Sequence, residues 1–204
     1  SPYHTLREQV ARNHSLNGDG VRDAYEVADG WLDSVSMYRY RHSYPHTLSG
    51  GQAQRAAIAV SMATDSSLII ADEPTTGLDA SLRREIVDLM VTMAKKNGRT
   101  LLLISHDLAI VGYASDRVGV MYRGRLCEVM DDVARGVHGV HPYSRELLAT
   151  IEEKMRFGNG AEAQVVRQDS TSGCVYQSRC TLLADDPGAL FARNCSDQEP
   201  VLES

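Results

Sequence analysis

The sequence predicts an α/β layer fold. Three observations carry that prediction. Short apolar runs at 68–71 and 100–104 have the length of buried strands. Amphipathic stretches with three- and four-residue spacing precede and separate them. Turn-forming pairs, Asn97-Gly98 and Arg123-Gly124, punctuate the alternation.

Residues 1–18 are polar and close on the turn signal that runs from Asn17 to Gly20. From Val21 the pattern is helical, with Ala24, Ala28, Trp31, Leu32 and Val35 on one face. Residues 36–47 are polar and tyrosine-rich, and Pro45 bars a continuous helix. Ser49 is a good N-cap for a second helix that continues through Met62. The apolar run 68–71 stops at Asp72 and reads as a buried parallel strand. Residues 81–96 place Leu82, Ile86, Leu89, Met90 and Met93 on one helical face. A second buried strand is expected over 100–104, a short helix over 108–113, and two more strands over 118–122 and 126–130. Beyond residue 130 the signal weakens to a short helix over 144–151 and a polar linker over 154–172. The segment 173–200 is too small for its own core and needs a staple or a docking surface.

Composition narrows the classes of function. The 204 residues are 43% apolar and 24% charged, ordinary for a globular chain with a real core. A net charge of −6 gives no basic footprint for nucleic acid or for an acidic membrane surface. No apolar run is long enough to span a bilayer, and the first residues lack the apolar core of a signal peptide. The expected location is the cytosol, with any membrane attachment through a partner. Cys127, Cys174, Cys180 and Cys195 are then not expected to form structural disulfides.

Three short segments carry candidate chemistry. Leu48-Ser49-Gly50-Gly51-Gln52 opens a helix, where glycines permit close backbone approach and the helix N-terminus favours an anion. Taken alone it also fits a plain glycine-rich helix start. Asp72 and Glu73 end a buried strand, at the sheet edge where α/β folds bind ligands. Asp72 can hold a magnesium ion through water, and Glu73 can act as a general base toward a phosphate-attacking water. A solvated Asp-Glu pair is the bland alternative. His106 follows the second strand and can contact a γ-phosphate, or can be merely structural.

The order of these segments resolves the alternatives. The leucine-serine-glycine-glycine-glutamine run comes first. The apolar run into Asp72-Glu73-Pro74 follows, then Gly77-Leu78-Asp79, then Ser105-His106-Asp107. In this order the chain resembles the ATP-binding cassette (ABC) ATPases over about residues 1–150. Residues 48–52 look like the family signature, 68–73 like Walker B, 77–79 like the D-loop, and His106 like the switch histidine. The resemblance implies a partial P-loop NTPase core with part of a helical subdomain and a C-terminal extension. It implies ATP and Mg2+ as cofactors, with Ser49, Gly50, Gly51 and Gln52 toward the γ-phosphate of ATP held by an opposing subunit. Asp72 would serve magnesium, Glu73 would be the catalytic base, Asp79 would communicate across the dimer, and His106 would clamp the γ-phosphate. Arg55 is expected to support the signature helix.

Tyr44-Pro45-His46, the run from Ile70 to Thr76, and the run from His141 to Ser144 further resemble the oligopeptide, dipeptide and nickel importer group. That group implies a second ATPase subunit, permease subunits and, indirectly, a substrate-binding protein. It also implies residence at the cytoplasmic face of the membrane and a cargo of peptides, nickel or related small solutes. The domains expected are 1–65, helical and signature; 66–135, nucleotide-binding core; and 136–204, extension. Residues 1–45 are expected to help contact the permease. Gly173-Cys174 and Arg179-Cys180 resemble the group's cysteine tail. Cys174, Cys180 and Cys195 suit zinc, part of an iron–sulfur cluster, or simply reduced thiols in a docking tail.

The same resemblance exposes departures. The only lysines are Lys95, Lys96 and Lys154, and no Gly-Lys pair occurs, so the phosphate loop G-x-x-x-x-G-K-[ST] is missing. By the family pattern the glutamine loop, the first strands and an adenine-stacking aromatic belong upstream of Ser1. Tight ATP binding by these residues alone is not expected. The chain is either a fragment of a longer subunit or a short subunit that offers its signature to an ATP-holding partner. The fragment is favoured, because a missing β-layer leaves the sheet uncovered. Two rivals stand beside the importer reading: a non-catalytic regulatory subunit, and a soluble ABC protein of DNA repair or translation.

Overall fold

A computed structural model describes residues 1–15, 21–131, 139–157 and 173–180, together with 182 and 195. Its backbone contacts divide the chain into two units, Ser1–Ile110 and Val111–Ser204.

The first unit begins with a helix that the polar composition of residues 1–18 hides. In α1 (Leu6–Ser15), Leu6, Val10 and Ala11 are buried at helical spacing. A capping box starts it: the Glu8 amide donates to Thr5 Oγ1 at 3.4 Å, and the Thr5 amide donates to Glu8 Oε2 at 2.7 Å. α2 (Val21–Ser34) buries Ala24, Ala28 and Leu32 against α1 and a third helix. It ends where Ser36 takes φ 62° and the Met37 amide returns to the Leu32 carbonyl at 2.7 Å. Two 3-10 turns, Tyr38–Tyr40 and Pro45–Thr47, fill the tyrosine-rich stretch. α3 (Gly50–Met62) follows, with Ala56, Ile58, Ala59 and Met62 buried.

β1 (Leu68–Asp72), α4 (Ala80–Lys96) and β2 (Thr100–Ile104) form the predicted crossover. The strands pair in parallel, Leu68 opposite Thr100 and Asp72 opposite Ile104. The expectation that both strands are buried on both faces needs correction. Ile69 and Ala71 face the core, whereas Leu68, Ile70, Leu102 and Ile104 are exposed by 44%, 61%, 48% and 45%. The two-stranded sheet has one face on the core shared with α3 and α4, and among the described residues nothing covers the other. Ile86, Met90 and Met93 of α4 complete that core.

α5 (Leu108–Ala114) leads into the second unit. There β3 (Arg117–Tyr122) and β4 (Arg125–Asp131) form an antiparallel hairpin. Its turn residues Arg123 and Gly124 both have positive φ, 51° and 80°, as a primed hairpin turn requires. α6 (Pro142–Phe157) is longer than the predicted 144–151 and reaches into the stretch read as a linker; residues 158–172 lie outside the described residues. The Glu128 carboxylate accepts the Val140 and His141 amides at 2.7 and 3.2 Å just before this helix. Tyr176 docks the segment after it. Only 1% exposed, it meets the Tyr122 ring edge-on at 5.2 Å and donates its hydroxyl to Glu146. Burial, then that carboxylate, push the Tyr176 phenol well above its usual range.

Candidate functional site

The site lies in the first unit and starts at Ser49. Its side chain accepts the Gln52 amide at 3.4 Å, and the Gln52 side chain accepts the Ser49 amide at 3.0 Å. This closed capping box fixes the start of α3. The amides of Gly50 and Gly51, in the first turn, have no carbonyl of their own helix to bond and suit an anion. A Cβ on Gly51 would stand 2.8 Å from Leu82 Cδ2, and one on Gly50 would stand 3.7 Å from Leu78 Cδ2. The signature turn therefore packs against residues on either side of Asp79.

Asp79 itself caps α4. Its Oδ1 accepts the Leu82 amide at 2.9 Å and the Ser81 hydroxyl at 2.7 Å. Those bonds, the backbone one foremost, hold its carboxyl below the usual range. In this chain Asp79 holds the helix beside the signature, which is a concrete structural task in addition to the dimer role that the resemblance implies.

At the carboxyl edge of the sheet, Asp72 is exposed and ends β1. Glu73 follows in a left-handed conformation, φ 47°, which a non-glycine residue adopts at a cost. The Glu73 amide donates to the Ile104 carbonyl at 2.9 Å, so the ladder carries one position past β1. The turn swings the Glu73 carboxylate toward the end of β2. Its Oε1 accepts the His106 amide at 3.0 Å and lies 2.8 Å from His106 Nδ1. A carboxylate can only accept, so Nδ1 carries the proton and Nε2 faces outward. The His106 ring, 80% exposed, is accessible to a ligand. Contact with His106 lowers the Glu73 pKa and favours its anionic form.

The structure thus joins Glu73 and His106, which the sequence placed 33 positions apart. Sequence reading missed three participants. The Thr76 hydroxyl donates to Glu73 Oε2 at 3.3 Å. Arg83 pairs with Asp107 at 2.9 Å, beside His106. Glu85 pairs with Arg55, which also donates to the Val35 carbonyl at 3.3 Å. The helix-supporting role expected of Arg55 is therefore what the geometry shows. Only the charge pattern of α4 could have pointed to the two ion pairs.

The three cysteines of the tail lie in the second unit. Among the described residues, no group of three or more His, Cys, Asp or Glu side chains is placed to hold a metal. Cys174 is buried, its Sγ is 4.0 Å from His141 Nε2, and its amide donates to the Cys195 carbonyl at 2.9 Å. Burial, with Cys174 and Cys180 nearby, pushes the Cys195 thiol up.

A capped helix start whose amides suit an anion, and a glutamate–histidine pair at a parallel sheet edge, are the features to set beside known proteins. Residues 2–76 match the family model described as ABC transporter. The chain is similar to the ABC ATPases. Its curated relatives include proteins named as peptide-import ATP-binding subunits. It is 35% identical, over 91% of its length, to a Brucella ovis protein whose name describes a peptide import ATP-binding protein. It is 33% identical, over 88% of its length, to the oligopeptide transport ATP-binding protein AppF of Bacillus subtilis. It spans 61% and 57% of those two proteins. Among solved structures, the ATP-binding cassette MJ0796, a dimer bound to ADP and Pi, is 25% identical with a TM-score of 0.56. That match covers 64% of this chain and 58% of that one.

Proposed function

We propose that the chain is the signature- and switch-bearing part of an ATP-hydrolysing subunit that drives an importer for peptides or related small solutes. The observation that carries this reading is the Glu73–His106 pair at the sheet edge. Glu73, held anionic, accepts a proton from the attacking water, and Thr76 helps fix its second oxygen. His106 Nε2 faces the transferred phosphoryl group, and Asp72 is the residue that would hold magnesium, which would supply charge neutralisation there. The amides of Gly50 and Gly51 and the Ser49 hydroxyl would receive the γ-phosphate of ATP held by a second ATPase subunit. The lysine-bearing phosphate loop is not within these 204 residues, so the β-phosphate is held from outside them. No helix among the described residues is long and apolar enough to cross a membrane. The proposed place is the cytoplasmic face, bound to permease subunits that a substrate-binding protein supplies.

The test is Glu73→Gln in the intact subunit, assembled with its partners. Hydrolysis should fall about a hundredfold or more while ATP binding is kept. Turnover at the unsubstituted rate would overturn the assignment.

A further inference from the structure

The two ion pairs on α4 lie two residues apart, and residues at that spacing point to opposite sides of a helix. On one side Glu85 pairs with Arg55 of the signature helix. On the other, Arg83 pairs with Asp107, the neighbour of His106. Asp107 is itself fully engaged: Oδ2 meets Arg83 at 2.9 Å, Oδ1 accepts the Ile110 amide at 3.3 Å, and its own amide donates to Ser105 Oγ at 3.1 Å. The Arg83 amide donates to the Asp79 carbonyl at 2.9 Å, which binds the same residue to the D-loop turn.

We propose that Arg83 is a positioning residue that, through Asp107, sets His106 against Glu73, and that the Arg55–Glu85 pair ties this arrangement to the signature helix. α4 then acts as a tie-bar. A shift of the signature on phosphate binding reaches the base–histidine pair without a direct contact between them. The inference rests on the ATPase reading above. Stability is a poor explanation of the pairs. The side chains of Arg83 and Asp107 are 37% and 23% exposed, and those of Arg55 and Glu85 are 19% and 58% exposed. Ion pairs partly open to solvent contribute modestly to folding. Their value lies in geometry.

The test uses Arg83→Gln, Asp107→Asn, the double variant and Arg83→Lys in the intact, assembled subunit. Arg83→Gln should lower kcat about tenfold, leave the KM for ATP within about twofold and barely move the thermal midpoint. The double variant should be no worse than either single one, and Arg83→Lys should restore most turnover. A second readout needs no hydrolysis. The His106 amide, bonded to Glu73 Oε1, should exchange its hydrogen about tenfold faster in Arg83→Gln while core amides of α4 stay protected. Unchanged kcat with unchanged His106 exchange overturns the inference, as does a parallel fall of kcat and thermal midpoint. An unsubstituted complex that does not hydrolyse ATP overturns the ATPase reading instead, and the exchange result still decides the positioning role of Arg83.

Discussion

Gly51→Ala isolates what the close approach at the signature turn requires. The new methyl would stand 2.8 Å from Leu82 Cδ2, 3.4 Å from Cδ1 and 3.5 Å from Cγ. Carbon pairs prefer about 3.5–4.0 Å, so Leu82 must turn aside. Leu82 is partly buried against the main core, and its displacement should cost about 1–2 kcal/mol. Restricting the unfolded chain returns about 0.4–1 kcal/mol. The net expectation is a loss of roughly 0.5–1 kcal/mol. With Leu82→Ala in the background the obstruction is gone, and the same Gly51→Ala change should become stabilising. Urea denaturation of the four proteins in this cycle reads the sign directly. An equal effect of Gly51→Ala in both backgrounds would refute the packing argument. Turnover gives separate information. If bare backbone at Gly51 is needed to admit phosphate, the double variant regains stability and stays slow.

Two further perturbations address the core and the carboxylate. Ile86 is fully buried, so Ile86→Ala should cost about 2–5 kcal/mol, and a thermal or chemical midpoint that hardly moves would sink the core assignment. The lowered pKa of Glu73 predicts stability that is present above its ordinary value of 4.5 and lost as pH falls through the depressed value. His106→Ala removes the largest cause, so the Glu73 carboxyl should titrate closer to 4.5 in a nucleotide-free NMR titration; an unmoved titration would contradict the pairing.

Much of the first unit was legible because its elements obey local rules. The apolar faces of α2 and α4, the Ser49 cap and the parallel pair β1–β2 follow from periodicity and capping. α1 was missed because its few apolar residues are diluted by polar ones, although the Thr5–Glu8 capping box was there to be read. Burial of the strands was overestimated, since an apolar run reports what a strand would bury and not what lies against it. The partnership of Glu73 with His106 was not legible, because it depends on a left-handed backbone at a glutamate and on strand register. The cysteine spacing suggested a ligand set but gave no sign that Tyr176 docks this segment or that Cys174 is buried, since both depend on contacts distant in sequence.

The parallel pairing of β1 and β2 has a consequence for synthesis. Leu68 must wait for Thr100, about thirty residues later, whereas β3 meets β4 across a two-residue turn. At ribosomal speed that wait is roughly 2–6 seconds. During it, Ile69 and Ile70 lack their β2 partner, and Ile70 remains 61% exposed after pairing. Of the two described strand pairs, β1–β2 therefore leaves the longer interval open to chaperone capture or mispairing.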